Sequence, residues 1–216
     1  MSITVIGTGY VGLVAGACFA KLGQNVTCVE SDSVKLESLR QGKLPIHEPQ
    51  LEELVAAHIH NNLHFTRHPK TGVAASDIVI LAVGTPPLAD GSADLSQLFN
   101  ATRQLAPYLN PDTNLVIKST VPVGTATALR QFLATLRPGL KISVVSNPEF
   151  LREGCAVQDF LNPDRIVIGS TPPADLGPLL RADALWQTAG RPIVPISNEA
   201  AASGKCGENT YGAMRA

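Results

Sequence analysis

The stretch "ITVIGTGYVGLVAGACFAKLG", Ile3 to Gly23, decides the fold. Its first four residues are β-branched and strand-sized, and from Tyr10 to Leu22 small and apolar residues recur at helical spacing. Between the two runs Gly7, Gly9 and Gly12 form GxGxxG. Each glycine has a task in a strand–turn–helix unit. Gly7 permits the tight turn, Gly9 lets backbone approach a pyrophosphate, and Gly12 with Ala15 and Gly16 lets the helix lie close to the sheet. Free N–H groups and the positive end of the helix dipole would then hold phosphates. The next β-branched run, Val26–Glu30, ends in an acid 18 residues after Gly12. A carboxylate there accepts hydrogen bonds from ribose hydroxyls and repels a 2′-phosphate, so the pattern predicts a site for NAD rather than NADP. Lys35 leaves room for an extra phosphate, whereas Arg40 lies a turn too far along the chain.

Outward from this unit the alternation continues. Strands are predicted at Ile3–Ile6, Val26–Glu30, Leu63–Thr66, Ile78–Val83, Leu115–Ser119, Ile142–Ser146, Ile166–Gly169 and Pro192–Pro195. Helices are predicted at Tyr10–Leu22, Ser33–Gln41, Gln50–His60, Leu95–Tyr108, Thr125–Leu136 and Ala174–Gln187, with Asp94 placed to cap the fourth. Near-continuous apolar strands separated by helices imply an α/β, doubly wound, mostly parallel sheet of the Rossmann type, with ligands at the carboxyl ends of the strands. Residues 1–197 are expected to form that domain, and 198–216 to begin a further helix.

Composition narrows the ligand class. The 216 residues are 44% hydrophobic, and 17 basic against 18 acidic side chains leave a net charge of −1. Without a basic, aromatic-interleaved patch, neither nucleic acid nor an anionic membrane is expected as partner. The longest apolar runs, such as Ile78–Val83, are far below a bilayer span and no signal peptide precedes the first strand, so a cytoplasmic protein is expected. Cys18, Cys28, Cys155 and Cys206 show no CxxC spacing, and no metal is expected. His60 and His64 have clamp spacing, but Asn61-Asn62 should break the helix between them.

Four further motifs fall at strand ends or at the final helix. In "AVGTPPLADGSADLS", Ala82–Ser96, Thr85 projects at the cofactor crevice and Pro86-Pro87 stiffen the exit; a rigid connection and a nicotinamide-side contact both fit. In "KSTVPVGT", Lys118–Thr125, Ser119 and Thr120 offer hydroxyls either to a ligand or as helix caps. In "SNPEFLREGCAVQDF", Ser146–Phe160, a helical turn would set Glu149 and Glu153 on one side with Arg152 beside them, able to bind sugar hydroxyls or orient a water, or else forming a surface Arg–Glu pair. In "SGKCGENTYGAMRA", Ser203–Ala216, Lys205 and Asn209 at i, i+4 share a helix face and could stabilise an oxyanion, though both are ordinary surface residues too.

Taken in order, "VIGTGYVGLVAGACFAKLGQNVTCVE", "LPIHEPQLEEL", "ILAVGTPPLADGSADLS", "IKSTVPVGTA", "SNPEFLREGCAVQDFLNPDRIVIG" and the final Lys-x-x-x-Asn resemble the UDP-glucose 6-dehydrogenases. The resemblance implies two NAD-dependent hydride transfers that take UDP-glucose to UDP-glucuronate through an enzyme-bound thiohemiacetal and thioester. It implies a cofactor site of Gly7, Gly9, Tyr10, Val11, Gly12, Glu30, Lys35, Thr85, Thr120 and Glu153. Thr120 would position a water, and Glu149 would be the catalytic glutamate. The segment Glu149, Phe150, Leu151, Arg152 and Glu153 would bind substrate, with Lys205 and Asn209 stabilising oxyanions and positioning sugar and water. A GDP-mannose or UDP-N-acetylhexosamine dehydrogenase, or a non-catalytic NAD-binding and dimerising module, fits the same motifs.

Three departures qualify it. Glu30 stands where the family usually has Asp, and Gly204-Lys205-Cys206-Gly207 replaces a more hydrophobic Ile-Lys-Tyr-Ala. The nucleophilic cysteine, its aspartate partner and the domain that holds the nucleoside diphosphate have no counterpart among these residues. The chain is therefore expected to be a C-terminally truncated, NAD-binding half that is inactive alone, drawn from enzymes that form homodimers through the helix beginning near residue 198.

Overall fold

The computed structural model describes residues 1–170 and 193–213. Eight strands in that region form one sheet: β1 (Ser2–Ile6), β2 (Asn25–Val29), β3 (Leu63–Thr66), β4 (Ile78–Leu81), β5 (Asn114–Ile117), β6 (Ser143–Ser146), β7 (Ile166–Ser170) and β8 (Ile193–Ser197). Their spatial order is β3-β2-β1-β4-β5-β6-β7-β8. Every pairing is parallel except β6 with β7, an antiparallel contact between Ser146 and Gly169. The strand order reverses between β1 and β4, the position at which doubly wound sheets bind ligands in a crevice at the carboxyl ends of their strands.

Helices cover both faces. α1 (Tyr10–Lys21), α3 (Leu51–His58) and α7 (Ala156–Leu161) pack with one apolar cluster, in which Phe19 meets Phe160 edge to face at 5.0 Å. α5 (Ser96–Leu105) and α6 (Thr125–Leu136) bury Leu98, Leu105, Leu129 and Leu133 in the opposite cluster. β1, β4 and β5 contribute to both, which explains why their sequences read as continuous apolar runs. α2 (Ser33–Arg40) is capped by Asp32, whose carboxylate accepts from the N–H groups of Val34 and Lys35. α8 (Asn198–Ala213) is clamped at its start, because the buried Asn198 amide accepts from Ser146 N and donates to Val144 O. A Cβ on Gly169 would lie 2.6 Å from Ala201 Cβ, so α8 rests directly on β7.

Several boundaries differ from the sequence expectation, and the reasons are local. β4 and β5 end two residues early because Lys118 N and Ser119 N both turn to Leu81 O, splaying the chain where the site begins. α5 stops at Leu105 and continues as a 3₁₀ turn at Ala106–Tyr108, since Pro107 offers no N–H. α3 ends at His58 and His64 stands on β3, so the two histidines do not share a helix. The short α4 (Pro69–Val73) and α7 carry too few turns to show a periodic signal, and sequence reasoning missed both. The helix expected at Ala174–Gln187 lies outside the described residues.

Candidate active site

The Gly-rich turn is held by sterics. Gly7 adopts φ +92°, and a Cβ there would lie 2.7 Å from Ala82 O on the neighbouring loop. A Cβ on Gly12 would overlap Gly7 O, and one on Gly16 would sit 2.6 Å from Cys28 Sγ. Gly9 is the contrast: nothing lies within 4 Å of its missing Cβ, so that face of the turn is open to a ligand. The residues present therefore fit a pyrophosphate at the start of α1.

Behind the turn stands Glu30, 7% exposed. Its Oε2 accepts from the buried Thr8 hydroxyl and meets Lys35 Nζ at 2.9 Å, while Oε1 accepts from Asp32 N at 2.9 Å. Burial alone would raise its pKa, but the Thr8, Asp32 and Lys35 contacts outweigh it and hold the carboxyl down to about 2. Glu30 is thus a fixed anion near the cofactor turn, with Lys35 drawn onto it. Arg40 is occupied elsewhere, donating from Nε to Phe65 O at 3.3 Å.

The loops after β4 and β5 meet as expected. Thr85 donates to Thr120 O at 2.7 Å and Ser119 donates to Val83 O at 2.6 Å, which ties both loops together on the far side of the crevice. The 82–95 loop is braced by Asp94 N to Pro86 O and Leu88 N to Ser92 O. Asp94 accepts from Ser96 N at 2.8 Å, but α5 begins at Ser96 with Leu95 at its N-cap and no side-chain cap, so the expected capping by Asp94 is not formed and its carboxylate braces the turn before the helix instead.

The 147–155 segment corrects the sequence expectation. It is not a helical turn, and Glu149, Glu153 and Arg152 do not form one cluster. Glu149 Oε1 instead meets Lys205 Nζ at 2.9 Å, with both side chains nearly buried at 11% and 12% exposure, and Oε2 accepts from Leu151 N at 2.7 Å. Arg152 pairs with Asp159 through Nη2 at 2.7 Å and Nε at 3.0 Å, and that guanidinium lowers the Asp159 pKa. Glu153 is exposed, and the Tyr10 phenol is kept protonated by burial first, then by its bond to Glu48, with the charge of Glu153 adding to both. Gly154, with φ +83°, separates this segment from α7. The segment lines a cavity of about 430 Å³ that includes Lys118, Asn147, Phe150, Arg152, Asp159 and Arg165. Lys205 Nζ stands 5.6 Å and the Arg165 guanidinium 5.4 Å from the centre of the Phe150 ring. Asn209 belongs to α8, and its side chain lies outside the described residues.

Sequence reasoning missed three buried polar residues that build this site. Glu48, 4% exposed, accepts from the Tyr10 hydroxyl at 2.6 Å, Gly154 N at 2.9 Å and Ala156 N at 2.8 Å. Burial would raise its pKa, yet these donors lower it. Through Glu48 and Tyr10 the first turn of α1 is bonded to the segment that carries Glu149 and Glu153. Asn147 donates to Val167 O at 2.9 Å and accepts from Lys118 Nζ at 2.8 Å. The available signal was an acid or lysine inside an otherwise apolar or proline-bounded run, "PIHEP" and "VIKST". Among the described residues no three His, Cys, Asp or Glu side chains converge as metal ligands, and no helix is long and apolar enough to cross a membrane.

Comparison with known proteins places this geometry. A UDP-glucose 6-dehydrogenase of Rhizobium meliloti is 52% identical over 171 residues, 78% of this chain and 39% of that protein. One from Pseudomonas aeruginosa is 47% identical over 175 residues, with the same 39% coverage. The chain thus spans about two-fifths of the length of these curated relatives. The structure of a UDP-glucose dehydrogenase from Pyrobaculum islandicum overlays with a TM-score of 0.90 at 37% identity, covering 97% of this chain and 49% of that one. A ternary complex of GDP-mannose dehydrogenase from Pseudomonas aeruginosa overlays at 0.93 with 30% identity, covering 100% and 50%. Residues 1–187 match the NAD binding domain of the UDP-glucose/GDP-mannose dehydrogenase family, and the chain belongs to that family.

Proposed function

We propose that the chain supplies the NAD-binding half, and part of the sugar-handling site, of a dehydrogenase that oxidises UDP-glucose to UDP-glucuronate. The observation that carries this reading is the nearly buried Glu149–Lys205 ion pair at 2.9 Å, with Glu149 lining a cavity on the same segment that Glu48 and Tyr10 bond to the Gly-rich turn. Its support from relatives is the run of UDP-glucose 6-dehydrogenases at 43–52% identity.

In this reading the N–H groups at Gly9, Tyr10 and Val11 hold the pyrophosphate and Glu30 takes the ribose hydroxyls. Gly7 and Gly12 shape the turn, and Lys35, Thr85, Thr120 and Glu153 border the bound dinucleotide. NAD supplies the hydride acceptor when bound. Lys205 stabilises the negative charge that develops on the sugar oxygen, Glu149 orients that ammonium, Thr120 positions water, and Asn209 assists from one turn along α8. Phe150, Leu151 and Arg152 form the wall against which the sugar lies. Of the described cysteines, Cys18 and Cys28 are buried with their thiols pushed up to about 12 by desolvation, and Cys155 does not line the cavity. The side chain of Cys206, next to Lys205 in sequence, lies outside the described residues, and we assign the covalent steps to a thiol other than those of Cys18, Cys28 and Cys155. Pairing of two such enzymes through α8 belongs to the same proposal.

Titration calorimetry tests the reading. The 216-residue chain should bind NAD more tightly than NADP, and Glu30→Ala should weaken NAD by at least about tenfold, the loss of charge-assisted hydrogen bonds. Absence of NAD binding by the folded chain would sink it. Steady NADH production from UDP-glucose by this chain alone would overturn the assignment of the covalent steps. A GDP-mannose substrate is the second reading, favoured by the 0.93 overlay on that enzyme. Thermal shifts of the NAD complex with UDP-glucose against GDP-mannose separate the two.

A further inference from the structure

A second lysine faces the cavity that the pair borders. Lys118 is the first residue after β5 and is 5% exposed, yet no carboxylate among the described residues bonds to it. Its ammonium donates to Asn147 Oδ1 at 2.8 Å and stands 5.6 Å from the centre of the Phe160 ring. Asn147 is further held by its own N–H on Ile117 O and its Nδ2 on Val167 O, so the residue that opens the 147–151 segment is fixed from β5, β7 and Lys118 together. Two residues on, Glu149 turns to Lys205. An apolar side chain of similar length would fill this position without the cost of desolvating a charge, so stability alone does not explain an ammonium here.

We propose that Lys118 is a positioning residue of the sugar-handling site, the third member of an ionic cluster with Glu149 and Lys205, anchoring the Asn147–Leu151 segment and leaving the cluster with one excess positive charge toward anionic ligand groups. This rests on the proposed function for the meaning of the cavity, but the cluster itself does not. The other charged groups lining the cavity are Arg152, Asp159, Asp164 and Arg165; Arg152 and Asp159 neutralise each other, and Asp164 is adjacent to Arg165. The charges that act on Lys118 are those of Glu149 and Lys205. Burial pushes the Lys118 pKa down to about 8, Glu149 draws it back up, and Lys205 presses it lower.

Lysine-selective NMR titration of the 216-residue chain tests the cluster directly and requires no cofactor. The Lys118 ammonium should titrate near 8. Glu149→Gln should lower its midpoint and Lys205→Met should raise it, each by about one unit, the effect of removing a close charge. The opposite signs guard against a trivial result, because a loosened fold would hydrate Lys118 and raise its midpoint in both variants. If Lys118 is a filler, neither substitution moves the midpoint, or both raise it, and the proposal falls. As a second measurement, Lys118→Met should reduce the protection of the 147–151 amides against hydrogen exchange at least threefold while leaving NAD affinity within twofold. Unchanged protection would also overturn the proposal. Loss of NAD binding in the unsubstituted chain, with the opposite shifts intact, would instead count against the proposed function and leave the cluster standing.

Discussion

The two sides of the crevice are built on different principles. The cofactor side is held by exclusion: Gly7, Gly12 and Gly16 stand where any side chain would strike backbone or sulfur, and Gly9 alone opens outward. The sugar side is held by long-range polar bonds. Glu48 reaches Gly154 and Ala156 across 106 and 108 residues, Lys118 reaches Asn147 across 29, and Lys205 meets Glu149. Steric constraints are all-or-none, and apart from the approach of Gly7 to Ala82 they are short in sequence. Buried polar bonds depend on loops that only the finished fold brings together, and losing one member leaves the others unsatisfied.

The largest expected effect breaks the cofactor side. Gly12→Ala forces a Cβ onto Gly7 O and should cost more than about 3 kcal/mol or prevent folding, read as loss of the cooperative thermal transition. Gly9→Ala, into open space, should change stability by about 1 kcal/mol or less and act instead on NAD binding. Equal losses from the two would erase the distinction.

A smaller effect is expected on the sugar side. Glu48→Gln keeps the shape but sets an amide against three donors, and should cost about 2–4 kcal/mol by urea unfolding. Amide exchange should speed up across residues 150–157 while the Gly7–Gly12 turn stays protected. Uniform loosening of both regions would show that they are a single cooperative unit.

The smallest effect sharpens the contrast inside the cofactor side, where one polar residue does matter. The Glu30 carboxyl in the fold sits near 2, below its ordinary 4.5, so its contribution is complete above about 4.5 and fades as the pH falls toward 2. The window holds up to about 3 kcal/mol, and Glu30→Gln should flatten the stability–pH curve across it. A curve unchanged by the substitution would mean that Glu30 keeps the same contacts in the unfolded chain.

By itself the sequence determined the Rossmann-type sheet, the Gly-rich turn, the acid behind it and the strand ends where Thr85, Thr120 and Glu149 appear. All of these are written in short windows, because glycine spacing and apolar periodicity report on backbone geometry a few residues away. Tertiary structure alone decided which charges meet. "NPEFLREG" puts Glu149, Arg152 and Glu153 within five residues, yet their partners are Lys205, Asp159 and the neighbourhood of Tyr10. Glu48 and Lys118 read as ordinary polar residues until burial made their bonds obligatory. A charge removed from water must find a partner wherever the fold supplies one, and that partner's distance along the chain leaves no local trace.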